Sequence, residues 1–362
     1  MKKLIKDIHL WLSIPAGLVI TIICFTGAML IFEQEISELI RRDYYYVERV
    51  ESEKITFAEA VAAVEPTLSD DQRITGISVS SNEERAWKVN LSSSKNGAVY
   101  VDQYSGKVLG SPERMPFFRT MFRLHRWLMD TRPEDGGIYW GKLIVGISTL
   151  MLVVITISGI VLWIPKSVQM WKNRSRISVT RGWKRFLYDL HVTGGIYAGV
   201  IVLAMALTGL TWSFEWYRNG AYMLLGADRK ATTAQQSKTK GDTSANNYDA
   251  SEVVYDDVVA QYDGYNDVTV TPTTLSVKLS GFGNPRAADK YFFDADGAIT
   301  SVELYDDAPR QRKIGGWIYA IHVGNFGGYL TRILWFLAAM LGASLPITGY
   351  YLWIKRRFIN RK

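Results

Sequence analysis

Four long apolar stretches constrain this chain more than any other feature. They run from Ile8 to Phe32, Ile138 to Ile164, Phe186 to Trp216 and Tyr329 to Ile354. Each reaches the ~20 residues needed to cross a hydrocarbon core about 30 Å thick. Lipid offers no hydrogen bonds to the backbone, so such segments satisfy their amides internally as helices. The first stretch is too long for the apolar region of a cleaved signal peptide, usually about 7–15 residues, and Gly27 to Phe32 has no small-residue cleavage site. It is read as a retained span.

Orientation follows from Lys and Arg. Lys2, Lys3 and Lys6 precede the first span; Lys166, Lys172, Arg174, Arg176, Arg181, Lys184 and Arg185 fill the loop after the second; Lys355, Arg356, Arg357, Arg361 and Lys362 follow the fourth. Asp7 is the only carboxylate among these three segments. The positive-inside rule makes all three cytoplasmic and puts residues of about 33–137 and 217–328 outside. The net charge of +7 is thereby a topology signal, and no nucleic-acid partner is needed to explain it. The single cysteine, Cys24, lies mid-span and permits no internal disulfide.

The chain also repeats itself. At an offset of 182, Asp7 and His9 fall on Asp189 and His191, Ala16-Gly17 on Ala198-Gly199, Thr26-Gly27 on Thr208-Gly209, and Phe32-Glu33 on Phe214-Glu215. Shared hydrophobicity does not explain agreement at Asp, His, Thr, Gly and Glu. The second and fourth spans close alike, on Ser158-Gly159 through Trp163-Ile164 and Thr348-Gly349 through Trp353-Ile354, at an offset of 190. His125 and His322 match at 197, so about seven extra residues follow His125, around Asp130 to Asp135. The two halves share topology, which predicts a pseudo-twofold axis along the membrane normal.

The outer segments are read as two α+β domains. Thr56 to Glu59 is a capping box opening a helix that Pro66 ends, with strands predicted over Ile74–Ser80, Ala86–Leu91 and Ala98–Val101 and a turn at Asp102 to Gly106. The second copy offers Asp249 to Glu252 before a helix, strands over Leu275–Leu279 and Lys290–Phe293, and a turn at Asp294 to Gly297. Lys230 to Asn247, rich in Ser, Thr, Lys, Gln and Asn, reads as a flexible linker. The expected division is 1–32, first span; 33–124, first outer domain; 125–165, amphipathic segment and second span; 166–185, basic loop; 186–216, third span; 217–315, linker and second outer domain; 316–354, short helix and fourth span; 355–362, tail.

This order resembles the PepSY-associated transmembrane-helix family. The resemblance is carried by Asp7-Ile-His9, Phe57-Ala-Glu-Ala60, Val101-Asp102 with Gly106 to Leu109, Leu124 to Trp127, Gly159 to Trp163, Leu190-His191, Ile321-His322 and Gly349 to Trp353. It implies a four-span helical membrane bundle with two periplasmic PepSY-like domains in the bacterial inner membrane. Members are similar to iron-regulated inner-membrane proteins, and some are haem-containing reductases of ferric siderophores.

His9, His125, His191 and His322 are the only histidines, and each stands at or just before an apolar stretch. Histidine at the end of a membrane helix is a ready axial ligand for haem iron. Topology puts His9 and His191 at the cytoplasmic edge and His125 and His322 at the periplasmic edge. Two b-type haems are therefore expected, one per pair. Zinc fits less well, because each surface offers two histidines and no suitable cysteine. Met29, Met121 and Met205 are alternative axial ligands that no spacing favours. Ala16 and Gly27, like Ala198 and Gly209, return to the face of His9 or His191 at about 100° per residue, which leaves room for a macrocycle or a close helix.

Arg119, Arg123, Arg126, Arg312 and Arg332 are candidates for haem propionates or an anionic chelate, with headgroup anchoring as the equal alternative. Trp127, Trp140, Trp317 and Tyr319 fit either a haem shield or an interfacial aromatic belt. The expected function is reduction of a periplasmic ferric siderophore, docked on the outer domains, by electrons from a quinol or a cytoplasmic reductase. A haem conduit to another periplasmic acceptor, and a non-enzymatic peptidase-inhibitory membrane protein, are the alternatives. The partners are ferric siderophore, membrane lipid and an unidentified donor.

Overall fold

The computed structural model describes residues 2–92, 97–227, 248–281 and 283–359. Lys230 to Asn247, read above as a linker, lies outside them. The chain divides into two compact units, one of residues 1–33, 116–224 and 318–362, the other of residues 34–115 and 225–317.

The helical unit holds four helices long and apolar enough to cross a membrane. They are α1 (Lys2–Leu30), α6 (Trp140–Trp163), a third over Trp183–Ser213 and α13 (Gly328–Ile354). The third is built from α8 (Trp183–Asp189), a π-helical turn over Leu190–Gly194 and α9 (Gly195–Ser213). Two shorter helices, α5 (Pro116–Trp127) and α12 (Arg310–Val323), lead into α6 and α13. Small residues let the helices approach closely. Ala16, Ala28, Ala198, Ala338, Ala339 and Ala343 are buried, and a Cβ on Gly342 would lie 3.1 Å from Val202 and 3.3 Å from the Cys24 sulfur. Polar ties fix the antiparallel register of α1 and α13: Thr21 Oγ1 donates to Ala343 O (3.1 Å), and Tyr350 OH donates to Ile14 O (2.6 Å).

The sheet unit begins with α2 (Glu33–Ile40) and α3 (Arg42–Tyr45). Then come α4 (Phe57–Val64) and strands β1 (Ile74–Ser80), β2 (Trp87–Leu91), β3 (Ala98–Val101) and β4 (Val108–Gly110). After α7 (Val168–Arg174) and α10 (Glu215–Leu224) of the helical unit, the second half supplies α11 (Asp249–Val259), β5 (Tyr265–Val270), β6 (Thr274–Leu279), β7 (Ala288–Phe293) and β8 (Ile299–Glu303). The capping box forms as read, with Glu59 N donating to Thr56 Oγ1 and Thr56 N to the Glu59 carboxylate. Turn glycines Gly106 and Gly297 adopt φ of +70° and +81°, which favour residues without a Cβ.

Three expectations change. The two outer domains are one antiparallel sheet of order β4-β3-β2-β1-β5-β6-β7-β8, joined where Ile77 pairs with Val270 and Val79 with Val268. Pairing β1 with β5 satisfies two edges that separate domains would leave open. Alternate side chains then form one apolar face: Ile77, Val89, Val101, Val268, Leu275 and Val277 are buried beneath α4 and α11, together with Phe57, Val64 and Val258. Second, β5 and β8 were not anticipated. β5 carries polar Asn266, Asp267 and Thr269, and β8 is an exposed edge strand. Third, α5 belongs to the helical unit from Pro116 onward, so the boundary at 124/125 falls earlier, while the division at 217 falls later, because α10 stays with the helices as far as Leu224. Phe118, 2% exposed, anchors α5 there.

Candidate functional site

The four histidines come together in two pairs. His9 of α1 and His191 of the π-helical turn have ring centres 6.4 Å apart with planes at 86°. His125 of α5 and His322 of α12 have ring centres 6.1 Å apart with planes at 56°. The extra residues after His125 do not shift it. α5 ends in two left-handed residues, Leu128 (φ 51°) and Met129 (φ 68°), and Asp130 Oδ2 then accepts the Gly141 amide at the start of α6 (2.8 Å). The surplus is looped out between these two anchors.

Every ring is held in one way. His9 Nδ1 donates to Ile155 O (3.0 Å) and Ser158 Oγ (3.0 Å). His191 Nδ1 donates to Leu345 O (3.1 Å) and Thr348 Oγ1 (3.0 Å). His322 Nδ1 donates to Met205 O (3.0 Å) and lies 3.2 Å from Thr208 Oγ1. His125 Nδ1 donates to Ile23 O (2.9 Å), while Thr26 Oγ1 turns to Ile22 O (2.6 Å) and Ile23 O (3.2 Å). A carbonyl only accepts, so Nδ1 carries the proton in all four and Nε2 keeps its lone pair. Among the described residues, the hydrogen bonds of these rings all run through Nδ1. This is the outer support that metal-bound imidazoles receive.

A glycine lies against each ring. A Cβ on Gly159 would lie 3.2 Å from His9 Cε1, on Gly349 3.1 Å from His191 Cε1, on Gly209 3.1 Å from His322 Cε1, and on Gly27 2.8 Å from His125 Cε1. Each glycine follows its Ser or Thr and lies one helical turn after the accepting carbonyl. The four seats are thus Ile155/Ser158/Gly159, Leu345/Thr348/Gly349, Ile23/Thr26/Gly27 and Met205/Thr208/Gly209. The expectation that Gly27 and Gly209 open space beside His9 and His191 is corrected: eighteen residues, about 27 Å of helix, carry them to the other pair. Ala16 and Ala198 lie in the bundle core, 2% and 1% exposed.

The residues fit a bis-histidine haem. Two metal–imidazole bonds of about 2.0 Å, plus about 1.2 Å from each nitrogen to its ring centre, put the centres about 6.4 Å apart. Both pairs lie close to that separation. Among the described residues no group of three or more His, Cys, Asp or Glu gathers around a metal position. Each pair offers two side-chain donors, the number left when a macrocycle fills four equatorial positions.

The other candidates divide. Arg126 lies 5.4 Å from the Trp127 ring centre and 5.6 Å from that of Phe122. Arg332 donates to Ile31 O and lies over Phe32 at 4.9 Å. Arg123 is turned to Met129 O (2.8 Å), where it caps α5. Arg312 is engaged within the sheet unit by Ala288 O (2.7 Å) and Glu303 (3.3 Å), as a structural pair. Trp127 stacks with Tyr139 at 6.0 Å, and Trp140 is 59% exposed, as an interfacial belt residue would be. Sequence reasoning missed Trp212, whose ring meets His322 edge-on at 5.0 Å. It also missed the seats as seats, although their Ser/Thr-Gly pairs equal the histidines in number and were visible as repeat matches.

Four apolar helices, a joined antiparallel sheet and two histidine pairs define a multi-pass membrane protein with sites suited to a planar metal cofactor. The chain belongs to the PepSY-associated TM region family, whose profile matches residues 7–356. No curated protein matches the chain significantly.

Proposed function

We propose that this protein holds two b-type haems, one between His9 and His191 and one between His125 and His322, and reduces ferric siderophores on the periplasmic side of the bacterial inner membrane. The observation that carries the reading is the pair of bis-histidine sites toward opposite ends of one bundle, each with both Nε2 atoms free of hydrogen bonds among the described residues. Bound there, each haem would supply a one-electron iron couple whose potential its histidines and their surroundings would set.

The chain's own residues do the rest. Carbonyls of Ile155, Leu345, Ile23 and Met205 fix the ring tautomers, and the seat glycines let helix backbones approach the rings. Buried Ala16, Cys24, Ala198, Ala338, Ala339 and Ala343 let the helices pack closely between the two levels. The Lys and Arg bias supports a cytoplasmic His9/His191 end and a periplasmic His125/His322 end. The repeated seats and the mirrored strand order support duplication about an axis along the membrane normal. The donor is a quinol or a cytoplasmic reductase. In the substrate, Fe(III) is held by hard oxygen ligands that suit Fe(II) less well, so its reduction loosens the chelate.

The test is anaerobic reoxidation of the dithionite-reduced, detergent-purified protein by a panel of ferric chelates, followed in the haem α band. Fast reoxidation that varies with the chelate is the expected result. Slow reoxidation independent of the chelate overturns the ferric-siderophore assignment in favour of another periplasmic acceptor.

A further inference from the structure

We infer that the seat hydroxyls of Ser158, Thr348 and Thr208 are positioning residues that tune the histidines they touch, and that their uneven distribution makes the His125/His322 pair the more oxidising of the two. The inference rests on the proposed haem ligation. It adds a direction, with the His9/His191 pair as the stronger reductant.

The two pairs differ in what receives the Nδ1 proton. At His9 and His191 each proton is shared between a carbonyl and a hydroxyl, the hydroxyls at 3.0 Å on both rings. Those hydroxyls themselves donate to the same carbonyls, Ser158 to Ile155 O (2.8 Å) and Thr348 to Leu345 O (2.9 Å). Their lone pairs are thereby aimed at the ring, and the linked bonds polarise one another. At the other pair only Thr208 reaches a ring, at 3.2 Å; the Thr26 hydroxyl, engaged by Ile22 O and Ile23 O as Thr208 is by Ala204 O and Met205 O, makes no hydrogen bond to His125. Drawing the proton from Nδ1 raises the basicity of Nε2, and a more basic ligand favours the ferric state.

The closer and more numerous hydroxyl contacts lower the potential of the His9/His191 site relative to its partner. The ordering was hidden in the sequence, because the four Ser/Thr-Gly pairs read alike and only the reach of each hydroxyl to its ring separates them.

Spectropotentiometric titration of the full-length purified protein tests this. Wild type should give two waves, and His191→Ala should abolish the lower one. Ser158→Ala and Thr348→Ala should each raise the lower wave, changing its Fe(II)/Fe(III) ratio at fixed poise by about threefold or more, and leave the upper wave in place. Ser158→Thr and Thr348→Ser, which keep the hydroxyl, should restore it, which separates tuning from misfolding. Two haems whose waves ignore all these substitutions, or a lower wave that belongs to His125/His322, would overturn this inference and leave the ligation standing. A protein without haem overturns both.

Discussion

Gly27→Ala is the substitution that loads the site most directly. Its Cβ would lie 2.8 Å from His125 Cε1 and 3.1 Å from Nδ1, about 0.7 Å inside the ~3.5 Å at which carbon atoms rest. Metal–nitrogen bonds tolerate only about 0.2 Å, so the ring must either leave the metal or displace α5. Gly349→Ala and Gly209→Ala, at 3.1 Å, and Gly159→Ala, at 3.2 Å, are only about 0.3–0.4 Å short. Alanine also favours a helix interior over glycine by about 1 kcal/mol, so backbone propensity pushes the other way. Overpacking costs of about 1–3 kcal/mol have to exceed that gain for damage to appear. The assay is haem content per chain, with the surviving haem assigned by comparison with His191→Ala and His322→Ala. Gly27→Ala is expected to lose the His125/His322 haem and keep the other, and the remaining three are expected to show weakened or spectrally shifted binding at their own site. Two unperturbed haems in Gly27→Ala, or loss of the His9/His191 haem, would refute the seat argument.

Other substitutions probe the sheet unit. Phe57→Ala empties a site 1% exposed beneath the joined sheet and should cost about 3–5 kcal/mol, read as a lower chemical-unfolding midpoint. Gly76→Ala would bring a Cβ to 2.7 Å from Val270 O at the β1–β5 junction, so a loss of about 1–3 kcal/mol and faster amide exchange in β1 and β5 are expected. Hydrogen bonds from the backbone and then the hydroxyl of Thr56 hold the Glu59 carboxyl below the usual carboxylate range. Its folded pKa is depressed, so its contribution is present above the ordinary Glu range and is lost as pH falls through the folded value. Amide exchange over residues 57–64 should therefore accelerate on acidification in the wild type, and Glu59→Gln should flatten that dependence.

Much of this architecture was legible because lipid and symmetry restrict the choices. The spans, the capping box at Thr56, the strands from Ile74 to Val101 and the pairing of His9 with His191 and His125 with His322 all follow from period, charge and repetition. What was not legible depended on packing between elements distant in sequence. No local signal says that β1 pairs with β5, since either strand is satisfied by any antiparallel neighbour of compatible register. Gly27 falls on the face of His9 by helical period, yet it belongs to His125, because α5 folds back along α1 after an intervening sheet half. Arg312 reads like Arg126 in sequence, and its engagement by Ala288 O and Glu303 within the sheet unit separates the two.

The central claim is two haems held by two histidine pairs, and haem counting in single and double variants tests it most directly. The wild type should carry two haem b per chain, His191→Ala and His322→Ala one each with different spectra, and the double variant none. A wild-type protein purified without a Soret band, or a single substitution that removes both haems or neither, would contradict the account.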